Sequence, residues 1–563
     1  MSKFKAFTSL LLTAVMSVTL LSACASNNGN EPAKSNESSN TSTNVTETNA
    51  VKTNEEPITL TYFLNAPGDN VPEHFKIADL ITEKTGVTVK YERLVGEIEQ
   101  KLGVMIAGGE YPDMIYPGDK AHMLIDAGAL LPLEDLIEEH APNLKKLYAN
   151  YWERMKATDG HIYSLPNSVP TGQPNRAISP AFWIQKEVLK DAGYPKITTF
   201  DQYVDVLKNY VQKYPQIDGQ DTIPFEILTY DWRLFTLTTA MQFLAGGPND
   251  SRAMVNPETG ELTFYQTDEK ISKRYYEKLN EMWNEGLIDK EAFVMNYDQY
   301  LAKLSSGRVL GMHDQTWQFQ DATAALKQQD KLDRMFAPLQ LTFDESIKAD
   351  YMDVPSINYG NGWSMSVDNK DPVRTIKFID TLASDEMQIL RSWGVKDEDY
   401  KVDENGRFIR TPEQRKWFES NENALGWDGK IMWFFPNASG TLPDGNNYWP
   451  GEQPEEIVAN YTETDKKILE AYGVKTYPEL FNPGNTKRKY FPIWSIELTE
   501  DLKIFDQKLN DLNKKYPPQM VVAKSKEQFN EYWDEYVTSV NKLDVKGWMD
   551  YHSAEVKKRQ ENW

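Results

Sequence analysis

Cysteine is almost missing from this chain: Cys24 is the only one in 563 residues. No internal disulfide can form, and no cysteine-based metal site or catalytic thiol can be assembled from a single residue. Histidine is scarce too, with six scattered copies, which leaves little acid–base material that titrates near neutrality. Catalytic signatures with fixed spacing are also absent: there is no HExxH, no Gly-Lys-Ser or Gly-Lys-Thr phosphate loop and no GxSxG elbow. Positive charge is outweighed, 61 Lys and Arg against 84 Asp and Glu, so the basic face needed for nucleic acid is not expected. No fixed-period repeat occurs, which disfavours solenoids and propellers. Paired carboxylates of a glycosidase stay open, because abundant Asp and Glu need only meet in space.

What is present begins at the N-terminus. Lys3 and Lys5 precede an apolar run from Ala6 to Leu21 that ends in Leu21, Ser22, Ala23, Cys24. That order reads as a secretory signal, residues 1–23, too short for a membrane span. Its end resembles a bacterial lipobox, which makes Cys24 the lipid-bearing first residue of the mature chain. Residues 24–57 follow, built from Asn, Ser, Thr, Glu, Lys and Ala; they cannot bury enough apolar surface to order themselves and read as a tether. Removing the signal changes the formal charge from −23 to −25, since the excised piece carries two lysines and no carboxylate. That acidity reads as solubility and does not identify a ligand.

From Ile58 onward, about 500 residues exceed one core and predict two or more lobes. Ile58 to Leu64 reads as a strand, Pro72 to Thr85 as a helix, Val87 to Tyr91 as a strand, Glu97 to Ala107 as a helix and Met114 to Tyr116 as a strand end. This alternation predicts an α/β lobe with a largely parallel sheet. It continues through Phe182 to Gln185, helices from Lys186, Phe200 and Glu269, and a strand from Val309 to His313. Beyond Pro372 the pattern turns mainly helical.

Eight stretches then recur in a telling order: MIAGGEYPDM from Met105, IDAGALLPLEDLIEEHAPNL from Ile125, DGHIYSLP from Asp159, AFWIQKEVLKDAGY from Ala181, TTFDQYVDVLK from Thr198, NEGLIDKEAF from Asn284, YLAKLSSGRVLGM from Tyr300 and DPVRTIKFIDTLASDEMQILRSWGVKDEDYKVDENG from Asp371. Together they resemble the extracellular solute-binding proteins of carbohydrate ABC importers, in the large lipoprotein branch of Bacillus-like and Paenibacillus-like bacteria. The resemblance implies a two-lobed periplasmic-binding-protein-like (type II) α/β fold with an interlobe cleft and hinge. From the matching segments, crossings between lobes are expected at Pro166–Pro180, Met312–Trp317 and Tyr359–Ser366. The first lobe would then be 58–168 plus 314–360, and the second 169–313 plus 361–563 with a helical extension. The implied function is capture of an oligosaccharide by a monomer on the outer membrane face, for delivery to permease subunits of an ABC importer. A lipid-anchored carbohydrate-active enzyme, and the same fold binding a peptide or other organic solute, are the alternatives. Many relatives carry a calcium loop after the helix that ends here at Tyr214. Here only Asp218 and Asp221 stand there, too few for six to eight oxygens, which puts calcium in doubt.

Sugars offer apolar ring faces and many hydroxyls, so their sites combine aromatic platforms with directional hydrogen-bonding groups. Most of the 15 Trp, 29 Tyr and 23 Phe must be core. Those in polar or Gly-rich loops near the expected sheet edges are the candidates: Trp232 with Arg233, Trp317 after Asp314, Trp363 after Asn361, then Trp427, Trp433 and Trp449. Tyr116 closes a strand, with Asp119 in the loop behind it, where open α/β folds place ligands. Asn65, Gln173 and Arg176 complete the expected ligand set. His313 lacks a second ligand at metal spacing and reads as a hydrogen-bonded neighbour.

Overall fold

Strand and helix alternate from Ile58 as their patterns require, and a computed structural model describes residues 56–68, 70–157, 159–172, 178, 180–248, 250–350, 352, 356–359, 362–421, 431–483 and 487–562. The expected signal, Cys24 and nearly all of the tether lie outside these residues. The elements used below are, in chain order, β1 (Ile58–Leu64), α1 (Lys76–Thr85), β2 (Val87–Arg93), α2 (Ile98–Gly108), β3 (Met114–Tyr116), β4 (Leu165–Pro166), β5 (Val169–Thr171), β6 (Ala181–Gln185), α3 (Phe200–Lys213), β7 (Gln216–Ile217), β8 (Gln220–Asp221), α4 (Tyr297–Ser306), β9 (Gly311–Asp314), α5 (Thr316–Gln328), β10 (Phe336–Leu339), β11 (Gly362–Met365), α6 (Pro372–Leu382), β12 (Ala438–Gly440), α7 (Glu500–Val521), α8 (Lys526–Val540) and α9 (Val545–Asn562).

In the first lobe β1 lies between two parallel neighbours, β2 from Ile58 opposite Val87 and β3 from Tyr62 opposite Met114. The crossovers between these strands are α1 and α2, as parallel pairing demands. The sheet continues β2-β1-β3-β11-β4, with β11 antiparallel to both neighbours. Its core joins Leu60, Tyr62, Leu64, Met114, Leu165 and Trp363 to Ile376 of α6 and to Phe435. Helix α1 starts at Lys76 rather than at Pro72.

The second lobe is built on an antiparallel sheet, β9-β6-β10. Period-two alternation in β6 sends Phe182 and Ile184 to one core and Ala181 and Trp183 to the other. The first core takes Phe200, Tyr203 and Leu207 from α3, a helix opened by a capping box between Thr199 and Gln202. It extends into the C-terminal helices through Leu509, Trp533 and Trp548. Gly311 on β9 has no substitute: an added Cβ would stand 2.0 Å from the Tyr203 hydroxyl, which donates to the Trp183 carbonyl at 2.7 Å.

Strand pairing corrects the expected lobe boundaries. Residues 314–352 belong to the second lobe, because β10 pairs with β6 and Phe319, Phe336 and Met352 share its core. The described residues from Ile357 through Phe435 belong to the first, where β11 fills the gap between β3 and β4. Val169 of β5 packs in the first core and Ile178 against the second. Met312–Trp317 is no crossing, since β9 runs directly into α5 inside one lobe. Met352 lies in the core of the second lobe and Ile357 already in that of the first, ahead of the expected Tyr359–Ser366 crossing. An unforeseen passage follows Trp449, with Tyr461 already against the second core.

Candidate functional site

At the carboxyl edge of the first sheet, Asn65 ties the ends of β1 and β3 together. Its backbone N–H donates to the Tyr116 carbonyl at 2.9 Å, and its side-chain amide donates to the Pro117 carbonyl at 3.0 Å. Gly118 lets the turn pass so close: at φ +64°, a Cβ there would lie 2.6 Å from the Asn65 amide nitrogen. Tyr116 is buried, edge-on to Phe434 with centroids 4.8 Å apart. Beside it Trp433 is 42 % exposed, its carbonyl held by the Asn167 amide at 2.9 Å. Asp119 is exposed and pairs with Lys120 at 3.3 Å, which also reaches Glu99 at 3.1 Å.

At the edge of the second sheet, the turn at Asp231–Leu234 and the junction of β9 with α5 present a larger aromatic surface. Trp232 and Trp317 are 55 % and 46 % exposed. Their rings lie 5.8 Å apart at an interplanar angle of 14°, and Phe235 lies 5.9 Å from Trp232 at 21° and 6.4 Å from Trp317 at 33°. Three near-parallel rings at mutual spacings this similar cannot form one column; they overlap like shingles and make a pavement. Asp231, ahead of Trp232, holds φ +61°, the left-handed region that costs a non-glycine residue energy and tends to persist where function requires it.

The pavement is braced from behind. The Arg233 guanidinium lies 4.7 Å from the Trp232 ring centroid and 4.1 Å from that of Tyr297. The Trp317 indole N–H donates to Gln315 Oε1 at 2.6 Å. Beneath, Asp314 is fully buried and accepts from the Tyr300 hydroxyl at 2.5 Å, the Gln315 backbone N–H at 2.7 Å and the Gln318 amide. Burial pushes the Asp314 carboxyl up to about 7, against the pull of those donors. Neighbouring His313 is held neutral, burial taking it down to about 4, and its Nδ1 faces the Thr236 carbonyl at 3.1 Å.

The expected ligand set therefore divides by exposure. Trp232, Trp317, Trp433 and Asp119 are open to solvent, while Asn65, Arg233 and Trp449 are half-buried. Tyr116, Asp314 and Trp363 are buried, at 4 %, 0 % and 0 % exposure, so the expectation of direct ligand contact is corrected for these three. The Trp449 N–H is spent on the Ala438 carbonyl at 2.9 Å. Gln173, Arg176, Asn361 and Trp427 lie outside the described residues. Phe235, Tyr297 and Asn167 are additions; Phe235 stands three residues after Trp232, a helical spacing that could have marked it.

The calcium pattern does not fit the turn between β7 and β8. Lys331 Nζ lies 2.9 Å from Asp218 Oδ2, and Arg308 donates to the Asp221 carbonyl at 3.2 Å. Those oxygens already have cations of the chain as partners.

Two α/β lobes with separate cores, linked by several passages and facing outward with indoles, define the class of two-lobed binding proteins. The chain belongs to the bacterial extracellular solute-binding protein family, whose model matches residues 76–392. It is 26 % identical over 414 residues to the fructooligosaccharide ABC transporter substrate-binding protein FusA of Streptococcus pneumoniae serotype 4, covering 70 % of this chain and 72 % of that protein. It is 22 % identical over 320 residues to the lipoprotein LipO of Bacillus subtilis strain 168, covering 54 % and 59 %. The solved structure of S. pneumoniae FusA in complex with kestose superposes with a TM-score of 0.64 at 20 % identity, over 90 % of this chain and all of that one.

Proposed function

We propose that this protein captures an oligosaccharide at the outer face of the cell membrane, held there by lipid on Cys24, and delivers it to the permease of an ABC importer. The observation that carries the reading is the shingled pavement of Trp232, Trp317 and Phe235. Exposed indoles cost free energy in water and gain it against the apolar face of a sugar ring. The tie of Asn65 to the Tyr116–Gly118 turn fixes the facing edge, from which Trp433 projects. Ligand held between two such walls favours the closed arrangement of the lobes, and the closed form is what a permease can recognise.

Titration of saccharides against the protein with tryptophan fluorescence tests the reading. The expected result is a saturable change that Trp232→Ala and Trp317→Ala each diminish. Cleavage of the bound saccharide during incubation would overturn it in favour of an enzyme, and binding confined to peptides would overturn the sugar. Anchoring is tested by metabolic labelling with a fatty-acid probe, which Cys24→Ser should abolish. Scattering that shows no compaction on saturation would remove lobe closure.

A further inference from the structure

The electrostatics of the pavement narrow the ligand further. Three carboxylates stand close in sequence to Trp232, Tyr297 and Trp317. Asp231 precedes Trp232, Asp298 follows Tyr297 in the first turn of α4, and Asp321 lies four residues after Trp317 on α5, hence on the same helix face. Asp298 and Asp321 are exposed, and both act electrostatically on the Tyr297 hydroxyl. Among the described residues Arg233 is the cation stacked on the pavement, and it is already engaged. Its guanidinium packs against Trp232 and Tyr297, and Nη1 lies 3.5 Å from the Asp231 carboxylate. The carboxyl edge of the first sheet repeats the arrangement, with Lys120 placed between Glu99 and Asp119. Both walls thus pair their cation internally and leave carboxylates over.

We propose that the site is built for uncharged sugar rings and excludes sugars bearing carboxylates, with Asp231, Asp298 and Asp321 supplying the exclusion. Stacking on an indole is indifferent to the charge of a substituent, so aromatic area alone binds neutral and acidic saccharides alike. What separates them is the field above the rings. A uronate brought onto the pavement meets like charge, and among the described residues the guanidinium beside the rings, Arg233, is already paired with Asp231. A neutral ring meets carboxylate oxygens that accept its hydroxyls. This inference rests on the saccharide reading above.

A glycan array holding matched neutral and uronate oligomers of equal length, probed with the full chain in detergent, separates the two. Capture confined to neutral oligomers is the expected result. Capture of uronates at equal strength overturns the inference and leaves the saccharide reading standing; capture of neither class overturns both. In solution, D298N/D321N should raise the uronate-to-neutral affinity ratio by about tenfold, since two like charges near the ligand are removed. An unchanged ratio overturns the assignment to these residues. Raising salt from about 0.05 M to about 0.5 M on the unaltered chain should narrow the same ratio, because exposed charges are screened beyond a shorter Debye length. A salt-independent ratio counts against the mechanism whether or not the variant folds.

Discussion

The two walls of the candidate site are made differently. On the first lobe a mixed sheet ends in strands tied by backbone and amide hydrogen bonds, and one exposed indole, Trp433, projects from a neighbouring loop. On the second, β9 of an antiparallel sheet runs straight into α5, and Trp317 at that junction meets Trp232 from the Asp231–Leu234 turn to form the pavement. One wall is stiff with little aromatic area; the other has the area and needs bracing from Arg233 and Asp314. The difference implies that affinity resides on the second lobe and geometry on the first. The largest expected effect follows. Trp317→Ala or Trp232→Ala should weaken saccharide binding by about tenfold or more, the behaviour of central aromatic anchors, and Trp433→Ala by less. Calorimetry that finds Trp433 the most costly of the three would invert the comparison.

A second contrast lies within the first lobe, between Trp433 at 42 % exposure and Trp363 at 0 %. Trp363→Ala removes a side chain from the centre of a core and should cost about 3–5 kcal/mol of stability. Trp433→Ala should leave the urea midpoint nearly unmoved while lowering affinity. If the two midpoints shift alike, Trp433 is a packing residue and the first wall has no aromatic contact of its own.

How the sequence reads these two tryptophans is instructive. Both sit near polar or Gly-rich stretches, and both were expected at the ligand. Trp363 follows Asn358 to Gly362, which looks like an exposed loop, yet β11 slots between β3 and β4 in mid-sheet and both of its faces are covered. A strand that arrives some 200 residues after its neighbour leaves no local mark of its position. The same long-range pairing hid the lobe boundaries: β10 follows the expected exit at Met312–Trp317 but pairs back onto β6. What was legible is local. Alternation of strand and helix patterns marked β1, β2 and β6, and Trp232 and Trp317 stood out where polar residues flank an indole at a strand or turn. Tyr297 was not legible, because its link to Arg233 spans more than sixty residues and leaves no periodic trace.

The bracing under the second wall can be tested by pH. Asp314 has its carboxyl raised from 3.8 to about 7, so its share of stability is complete below pH 3.8 and is lost as pH rises through 7. His313 is lowered from 6.5 to about 4, so its share is complete above pH 6.5 and is lost as pH falls through 4. The two neighbours oppose each other across the same window. Relative to the parent, Asp314→Asn should gain melting temperature as pH rises through that window, and His313→Gln should gain as it falls. Difference curves of the same sign would show that burial is not what sets these two groups.

The smallest effect is expected far from both walls, at the hairpin of β7 and β8. Asp218 occupies its turn at φ +50°, and Lys331 holds the carboxylate below its usual range through an ion pair at 2.9 Å. The same ammonium donates to the Ser306 carbonyl at 3.1 Å, so it links the hairpin to the end of α4. A divalent cation at this turn would have to displace Lys331 and recruit several more oxygens. Among the described residues no cluster of three or more His, Cys, Asp or Glu is arranged to supply them. Calcium or a chelator should therefore leave the melting temperature unmoved, unlike a saturating saccharide, which stabilises in proportion to its occupancy. Lys331→Met should cost no more than about 1 kcal/mol, the range of an exposed pair. A calcium-dependent rise in melting temperature that Asp218→Asn removes would mean that the ammonium only holds the place of a metal.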